Sequence, residues 1–168
     1  MRTRGIRAAA TAAMLLGFTL PAASSAHAQP PGMPMLNVQP SGTNKCATPQ
    51  GNSTANGTRI TLWTCTGSDL QNWIWRGDRI VHETSGKCLT PEGDRIYSNG
   101  AVLTLWPCTG AESQDFDQSV SDFFREIKTS HSNKCLTNYG GNLGNGTWVT
   151  LWTCAGGEPA EQNWHLEL

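Results

Sequence analysis

Cys46-Ala47-Thr48, then Leu62-Trp63-Thr64-Cys65, then Gln71-Asn72-Trp73: this wording is written three times in the chain. The second copy is Cys88-Leu89-Thr90, Leu105-Trp106-Pro107-Cys108 and Gln114-Asp115-Phe116. The third is Cys135-Leu136-Thr137, Leu151-Trp152-Thr153-Cys154 and Gln162-Asn163-Trp164. A motif returning at a period of about 42 to 48 residues means that one supersecondary unit is built three times and stacked on itself. The three copies hold all six cysteines.

Within each copy the pattern is that of short strands. Ile60-Thr61-Leu62-Trp63, Leu103-Thr104-Leu105-Trp106 and Val149-Thr150-Leu151-Trp152 are β-formers flanked by turn residues. Each is preceded by Asn-Gly (Asn56-Gly57, Asn99-Gly100, Asn145-Gly146), a pair that favours the positive φ of a tight turn. No segment has convincing helical periodicity. About four short strands per repeat, twelve in all, predict an all-β fold. Three four-stranded units packed about a common axis close a small barrel with a triangular cap and hide their edges.

The termini of the repeats frame the domain. Arg2, Arg4 and Arg7 precede an apolar run from Ala8 to Leu20, and Ala26-His27-Ala28 is an A-x-A cleavage signal. Residues 1–28 are therefore expected to be a secretory signal peptide, with the mature chain secreted after cleavage near Ala28. Residues 29–37, with Pro30, Pro31 and Pro34, are expected to be an extended, mobile leader. The repeats are then placed at about 38–79, 80–126 and 127–168. Val38 opens the first, at the place that Ile80 and Ile127 hold in the others. The middle repeat has Phe116 for Trp, and about four extra residues lie between Phe116 and Cys135, around Phe123 and Phe124. Those two phenylalanines read as core after a bulge or as an exposed contact patch.

Six cysteines in an exported chain read as disulfides. Each repeat owns two, which pairs Cys46 with Cys65, Cys88 with Cys108 and Cys135 with Cys154. Each bridge closes a loop of about twenty residues, worth about 3 kcal/mol in the chain-entropy account. No C-x-x-C or H-x-x-x-H spacing supports zinc, and no other metal or cofactor is expected. The formal net charge of −1 and the lack of a basic run argue against nucleic acid as a partner. Outside the first segment no apolar run approaches the length of a membrane span. Acidic residues such as Glu83, Glu92, Asp94 and Asp117 neither repeat nor pair in a motif, so the chain is not read as an enzyme. Asn52-Ser53-Thr54, Asn56-Gly57-Thr58 and Asn145-Gly146-Thr147 match the glycosylation triplet, which arises readily in Asn/Thr-rich turns.

Aromatics recur at two places per repeat. Trp73, Phe116 and Trp164 are expected in the shared core, with Gln71, Gln114 and Gln162 hydrogen-bonding the chain at the strand's start. Trp63, Trp106 and Trp152 lie two residues before the second cysteine, on its face of the strand. Thr48, Thr90 and Thr137 lie two after the first. The disulfide should draw each Thr–Trp pair together across a shallow hollow. A flat aromatic face beside polar groups suits a sugar ring, whose C–H face stacks and whose hydroxyls need directed hydrogen bonds.

The Gly86-Lys87-Cys88-Leu89 and Asn133-Lys134-Cys135-Leu136 segments, the Leu-Trp-x-Cys segments and the Gln-x-Trp segments together resemble the ricin B-type β-trefoil lectin family, over essentially all of the mature chain. The resemblance implies a β-trefoil and a non-catalytic carbohydrate-binding module for galactose, xylose or related glycans, with one candidate site per repeat. It puts the stacking aromatic at Trp63, Trp106 and Trp152. The family's sugar-binding Asp, two residues after the first cysteine, is Thr48, Thr90 and Thr137 here. Its Asn before the Gln is Leu70, Ser113 and Glu161. A carboxylate makes charge-assisted bonds about twice as strong as neutral ones, so other polar groups must compensate. Glu92, Asp94, Asn138 and Tyr139 are candidates, with Gln50 and Asn52 in the first repeat. Asn138, Tyr139 and Trp152 make the third repeat the best equipped. The uniform loss of Asp equally fits a degenerate trefoil serving protein interaction or toxin delivery without sugar binding.

Overall fold

A computed structural model describes residues 33–34, 36–37, 45–120, 125–157 and 159–166. The signal segment, most of the leader, and Phe123 and Phe124 lie outside the described residues. Each repeat supplies four strands in the same order. The first set is β2 (Leu36–Asn37), β3 (Lys45–Pro49), β4 (Ile60–Thr64) and β5 (Asn72–Arg76). The second is β6 (Arg79–His82), β7 (Cys88–Pro91), β8 (Ala101–Trp106) and β9 (Phe116–Val120). The third is β10 (Arg125–Thr129), β11 (Lys134–Asn138), β12 (Val149–Thr153) and β13 (Trp164–His165).

The register repeats with the sequence. Cys46 faces Trp63, Cys88 faces Trp106, and Cys135 faces Trp152. The last strand of each repeat pairs with the first strand of the next: β5 with β6, β9 with β10, and β13 back with β2. That last pairing closes the ring, since Trp164 meets Asn37. At the centre, β12 pairs with β8, and isolated bridges Arg59–Thr104 and Thr61–Trp148 tie in β4. Each pair of repeats is thus joined by paired strands, which explains why units too small to fold alone are stable together.

The three expected disulfides are present: Cys46–Cys65, Cys88–Cys108 and Cys135–Cys154. The core is built in threefold layers, Ala47, Leu89 and Leu136 with Leu62, Leu105 and Leu151, then Ile60, Leu103 and Val149. Trp73, Phe116 and Trp164 lie buried among them. The Trp73 indole N–H donates to the Ala47 carbonyl at 3.1 Å.

Two expectations shift. Leu36 faces Cys46 as Val81 faces Cys88 and Lys128 faces Cys135, so the first repeat begins before Val38. Part of the stretch read as leader is thus paired, and a further short strand, β1 (Met33–Pro34), lies against β5 with Met33 opposite Trp73. Proline sits there at a sheet edge, where its missing N–H costs no ladder bond. The insertion falls within a hairpin. Trp73 faces His82, but the equivalent Phe116 faces Thr129, which lengthens the β9–β10 hairpin by the extra residues.

Candidate functional site

The same polar network is built in every repeat. In the first, the Thr48 hydroxyl donates to the Cys46 carbonyl at 3.1 Å and accepts from the Gln71 amide at 2.9 Å. Gln71 also donates to the Thr64 carbonyl at 3.1 Å, and its oxygen accepts the Thr66 N–H at 2.8 Å. The second repeat copies this with Thr90, Gln114, Pro107 and Thr109. The third uses Thr137, Gln162, Thr153 and Ala155. Each Gln thus staples the chain around the second cysteine to the strand of the first, rather than binding only at its own strand's start.

This network decides what the threonines can do. Thr48, Thr90 and Thr137 are buried, and each has spent its one donor on a cysteine carbonyl. Thr90 and Thr137 line the floors of their hollows instead of offering a free hydroxyl. A carboxylate in that place could accept from the Gln but could not donate to the carbonyl. Threonine gives a neutral, internally satisfied floor.

Above the floor stand the tryptophans. Trp63, Trp106 and Trp152 are 46%, 43% and 43% exposed, although each belongs to a strand whose preceding residues are in the core. An indole held half in solvent on a disulfide-braced strand is a rigid apolar platform. In the second repeat, Trp106 and Thr90 line one hollow of about 430 Å³ with Glu92, Asp94 and Gln114, and with Asn56 and Gly57 from the first repeat. In the third, Trp152 and Thr137 line another of about 450 Å³ with Asn138, Tyr139, Gly140, Gly141, Glu161 and Gln162. The Thr–Trp approach expected from the disulfide geometry is therefore present in both.

Each of these two hollows has a carboxylate on its wall, from opposite sides. In the second repeat it is Asp94, in a left-handed conformation (φ 56°), whose oxygen accepts the Ser113 hydroxyl at 2.6 Å. In the third, the place of Asp94 is Gly141 (φ 68°), and the carboxylate is Glu161, one residue before Gln162. The first repeat has Asn52 (φ 56°) and Leu70 at these places, so neither wall carries a charge. Glu92 is held by two arginines, Arg59 and Arg95, each at 3.5 Å.

Other candidates fall differently. Asn138 is fully buried and lines its hollow from beneath, while Tyr139 is exposed at the rim. Gln50 and Asn52 occupy a turn in the first repeat. Glu126 with Cys135 and Cys154 brings three potential ligand atoms within 4.8 Å of one another. The two sulfurs are joined in a disulfide, so this is not a metal donor set. Among the described residues no helix is long and apolar enough to cross a membrane.

Sequence reasoning missed Trp148 and Arg59. Trp148 lies outside the repeated wording, beside Val149, at the place Arg59 and Val102 hold in the other copies. The Arg59 guanidinium sits 4.8 Å from the centre of the Trp148 ring, and Tyr139 lies 6.1 Å from it. The signal was an aromatic without a counterpart in the other repeats.

The family model described as "Ricin-type beta-trefoil lectin domain" matches residues 35–116 and 92–167. Among solved structures, the designed threefold-symmetric protein ThreeFoil is 25% identical with a TM-score of 0.67, over 74% of this chain and 91% of that one. The exo-β-1,3-galactanase 1,3Gal43A from Clostridium thermocellum is 25% identical with a TM-score of 0.71, over 83% of this chain but 30% of that one. A curated relative, the "Probable lipoprotein EnvE" of Salmonella typhimurium (strain LT2), is 42% identical over 45 residues, 27% of this chain and about a quarter (26%) of its own length. The chain belongs to the ricin-type β-trefoil lectin domain family.

Proposed function

We propose that the chain is a secreted, non-catalytic lectin that binds glycans or polysaccharides of the galactose or xylose type through the hollows of its second and third repeats. One observation carries this reading. Trp106 and Trp152 each stand half-exposed above a polar floor with a carboxylate on the wall, Asp94 beside the arginine-paired Glu92 in the second repeat and Glu161 in the third. The indole offers a stacking face, and Asp94 or Glu161 offers a charged acceptor in place of the family's Asp. The first repeat keeps the platform, Trp63, without the charge. Likeness to a galactanase supports a galactose-type ligand, and three disulfides suit an oxidising, extracellular setting. Two weak sites on one rigid body favour polymers over single sugars.

Asp94 is engaged by Ser113 and Glu92 by two arginines, so neither stands as one of two free carboxylates flanking a bond. Hydrolysis of a glycan by the purified chain would refute the non-catalytic reading. The floor favours a second reading as well: all three threonines are satisfied internally, as expected of a trefoil that binds protein instead of sugar.

The test is a binding screen of the oxidised chain, residues 29–168, against soluble glycans and insoluble polysaccharides. Trp63→Ala, Trp106→Ala and Trp152→Ala are run in parallel. Loss of binding with Trp106→Ala or Trp152→Ala, and little change with Trp63→Ala, is expected. A folded chain that binds no glycan moves the reading to protein interaction.

A further inference from the structure

Tyr139 lines two hollows at once. On one side is the hollow of Trp152, and on the other a shallower one lined by Asn142, Asn145, Gly146, Thr147 and Trp148. Tyr139 is 52% exposed and Trp148 37%, and their rings are 6.1 Å apart, tilted by 55°. The backbone fixes the pair, because the Tyr139 N–H donates to the Trp148 carbonyl at 3.0 Å. Arg59 also stacks on the indole at 4.8 Å and is itself held by Glu92 at 3.5 Å. Trp148 is therefore a braced aromatic.

The polar groups beside it are donors. The Asn145 oxygen already accepts the Thr64 N–H and the Lys45 ammonium, both at 3.0 Å, which leaves its NH₂ to donate. The Asn142 oxygen accepts the Gly144 N–H at 2.8 Å, leaving its NH₂ likewise. Aromatic faces with carboxamide donors suit a sugar ring and its hydroxyls, and so complement the Trp152 hollow, whose polar wall is the Glu161 acceptor. On the near side, Gly140 and Gly141 have no side chain to stand between the hollow and solvent. The equivalents of Tyr139 and Trp148 are Gln50 and Arg59 in the first repeat, where the Gln50 N–H donates to the Arg59 carbonyl at 2.8 Å. In the second repeat they are Glu92 and Val102. The aromatic pair belongs to the third repeat alone.

We propose that the third repeat binds a run of a linear, uncharged polysaccharide, not a terminal sugar. One ring sits on Trp152, the chain crosses Tyr139, and a later ring lies against Trp148. This rests on the lectin reading above and adds a second subsite to one of its hollows. Two subsites on one chain make the second contact intramolecular, so affinity should climb with chain length.

The experiment is calorimetric titration of the full oxidised chain with β-1,3-galacto-oligosaccharides and β-1,4-xylo-oligosaccharides, from monosaccharide to hexasaccharide. Wild type, Trp148→Ala, Trp148→Tyr and Trp152→Ala are compared. For the series that binds, wild-type affinity should rise with length. Trp148→Ala should lower affinity for the longer members by about three- to tenfold and leave the monosaccharide unchanged. Trp148→Tyr should restore most of the rise, which separates loss of stacking from loss of fold. Trp152→Ala should weaken binding at every length. A length dependence that survives Trp148→Ala, or no length dependence in wild type, overturns the second subsite while leaving the lectin reading standing. No binding at any length in either series overturns the proposal, and if the glycan screen is also negative, the lectin reading falls with it.

Discussion

The Asn99 side chain of the second repeat accepts the Thr153 N–H of the third at 2.9 Å, and the Lys134 ammonium at 2.7 Å. Asn145 does the same one repeat on, accepting from Thr64 N–H and Lys45 of the first, both at 3.0 Å. In two of the three Asn-Gly turns the Asn is therefore a clamp between repeats as well as a turn residue. The third clamp is missing. Its acceptor would be Asn56 and its donor the backbone of Pro107, which has no N–H. Lys87 donates to the Thr54 carbonyl instead.

Asn99→Ala and Asn145→Ala should accordingly each cost about 1 kcal/mol, the usual worth of exposed hydrogen bonds of this kind. Asn56→Ala should cost much less. Urea unfolding with disulfides intact measures all three. Equal losses at the three positions would show that turn propensity, not the inter-repeat bond, is what Asn supplies.

The buried threonines predict a separation of stability from binding. Thr137→Val keeps the shape but removes the donor to the Cys135 carbonyl and the acceptor for Gln162. Removing these two bonds, while Gln162 keeps those to Thr153 and Ala155, should cost about 2 kcal/mol. Glycan affinity should change less than twofold, because the hydroxyl is not offered to the hollow. A large loss of affinity with little loss of stability would return Thr137 to the role of a direct ligand.

The fold was legible in the sequence because repetition reports on packing directly. Leu62, Leu105 and Leu151 are alike because they face one axis, and the cysteine spacing is alike because each bridge spans the same pair of strands. The platform tryptophans and the Gln-x-aromatic segments could be told apart for the same reason, as one surface and one core aromatic per repeat. Features that break the repeat were not legible. Leu36 has little local signal, since β2 exists through pairing with β3 and with β13, which is remote in sequence. The Asp94–Ser113 bond joins two loops whose approach only the fold sets. Trp148 acquires its surroundings from Arg59 of another repeat. The threonines were visible, but that Gln71, Gln114 and Gln162 would engage their hydroxyls was not.

A buried histidine gives the chain an acid-side limit. His82 lies against Trp73, ring centres 5.0 Å apart. Its Nε2 donates to the Leu70 carbonyl at 3.0 Å, which leaves Nδ1 to accept from the Ser85 hydroxyl at 2.9 Å. Both bonds suit the neutral ring. Burial holds its pKa below the ordinary value, more than the Leu70 bond and Glu83 raise it. The unfolded chain therefore takes up the proton first as pH falls below about 6.5. The contribution of His82 is complete above that pH and is lost as pH falls through the lowered folded value. His82→Gln should be less stable than wild type at pH 7 but lose stability less steeply between pH 7 and 5, as read from urea midpoints. Parallel slopes would assign the acid sensitivity to other groups.

Glu126 acts in the opposite sense. Its carboxylate lies beside the Cys135–Cys154 bridge, whose sulfurs have no hydrogen to donate. Desolvation there raises its pKa above the ordinary carboxylate value, against a smaller lowering by Lys128. The folded state thus holds this proton more tightly than the unfolded state. Stability from this group is fullest below the ordinary Glu value, about 4.3, and is lost as pH rises through the raised folded value. Summed over acidification from neutral pH to about 4, the gain from Glu126 therefore offsets part of the loss caused by His82. Glu126→Gln keeps the amide size and removes the charge, so it should melt higher than wild type at pH 7, with the gap closing toward pH 4. It should also steepen the fall in stability on acidification, since the His82 effect would no longer be offset. A melting temperature for Glu126→Gln at or below wild type at pH 7 would mean that the carboxylate is stabilised by its surroundings, contrary to the desolvation argument.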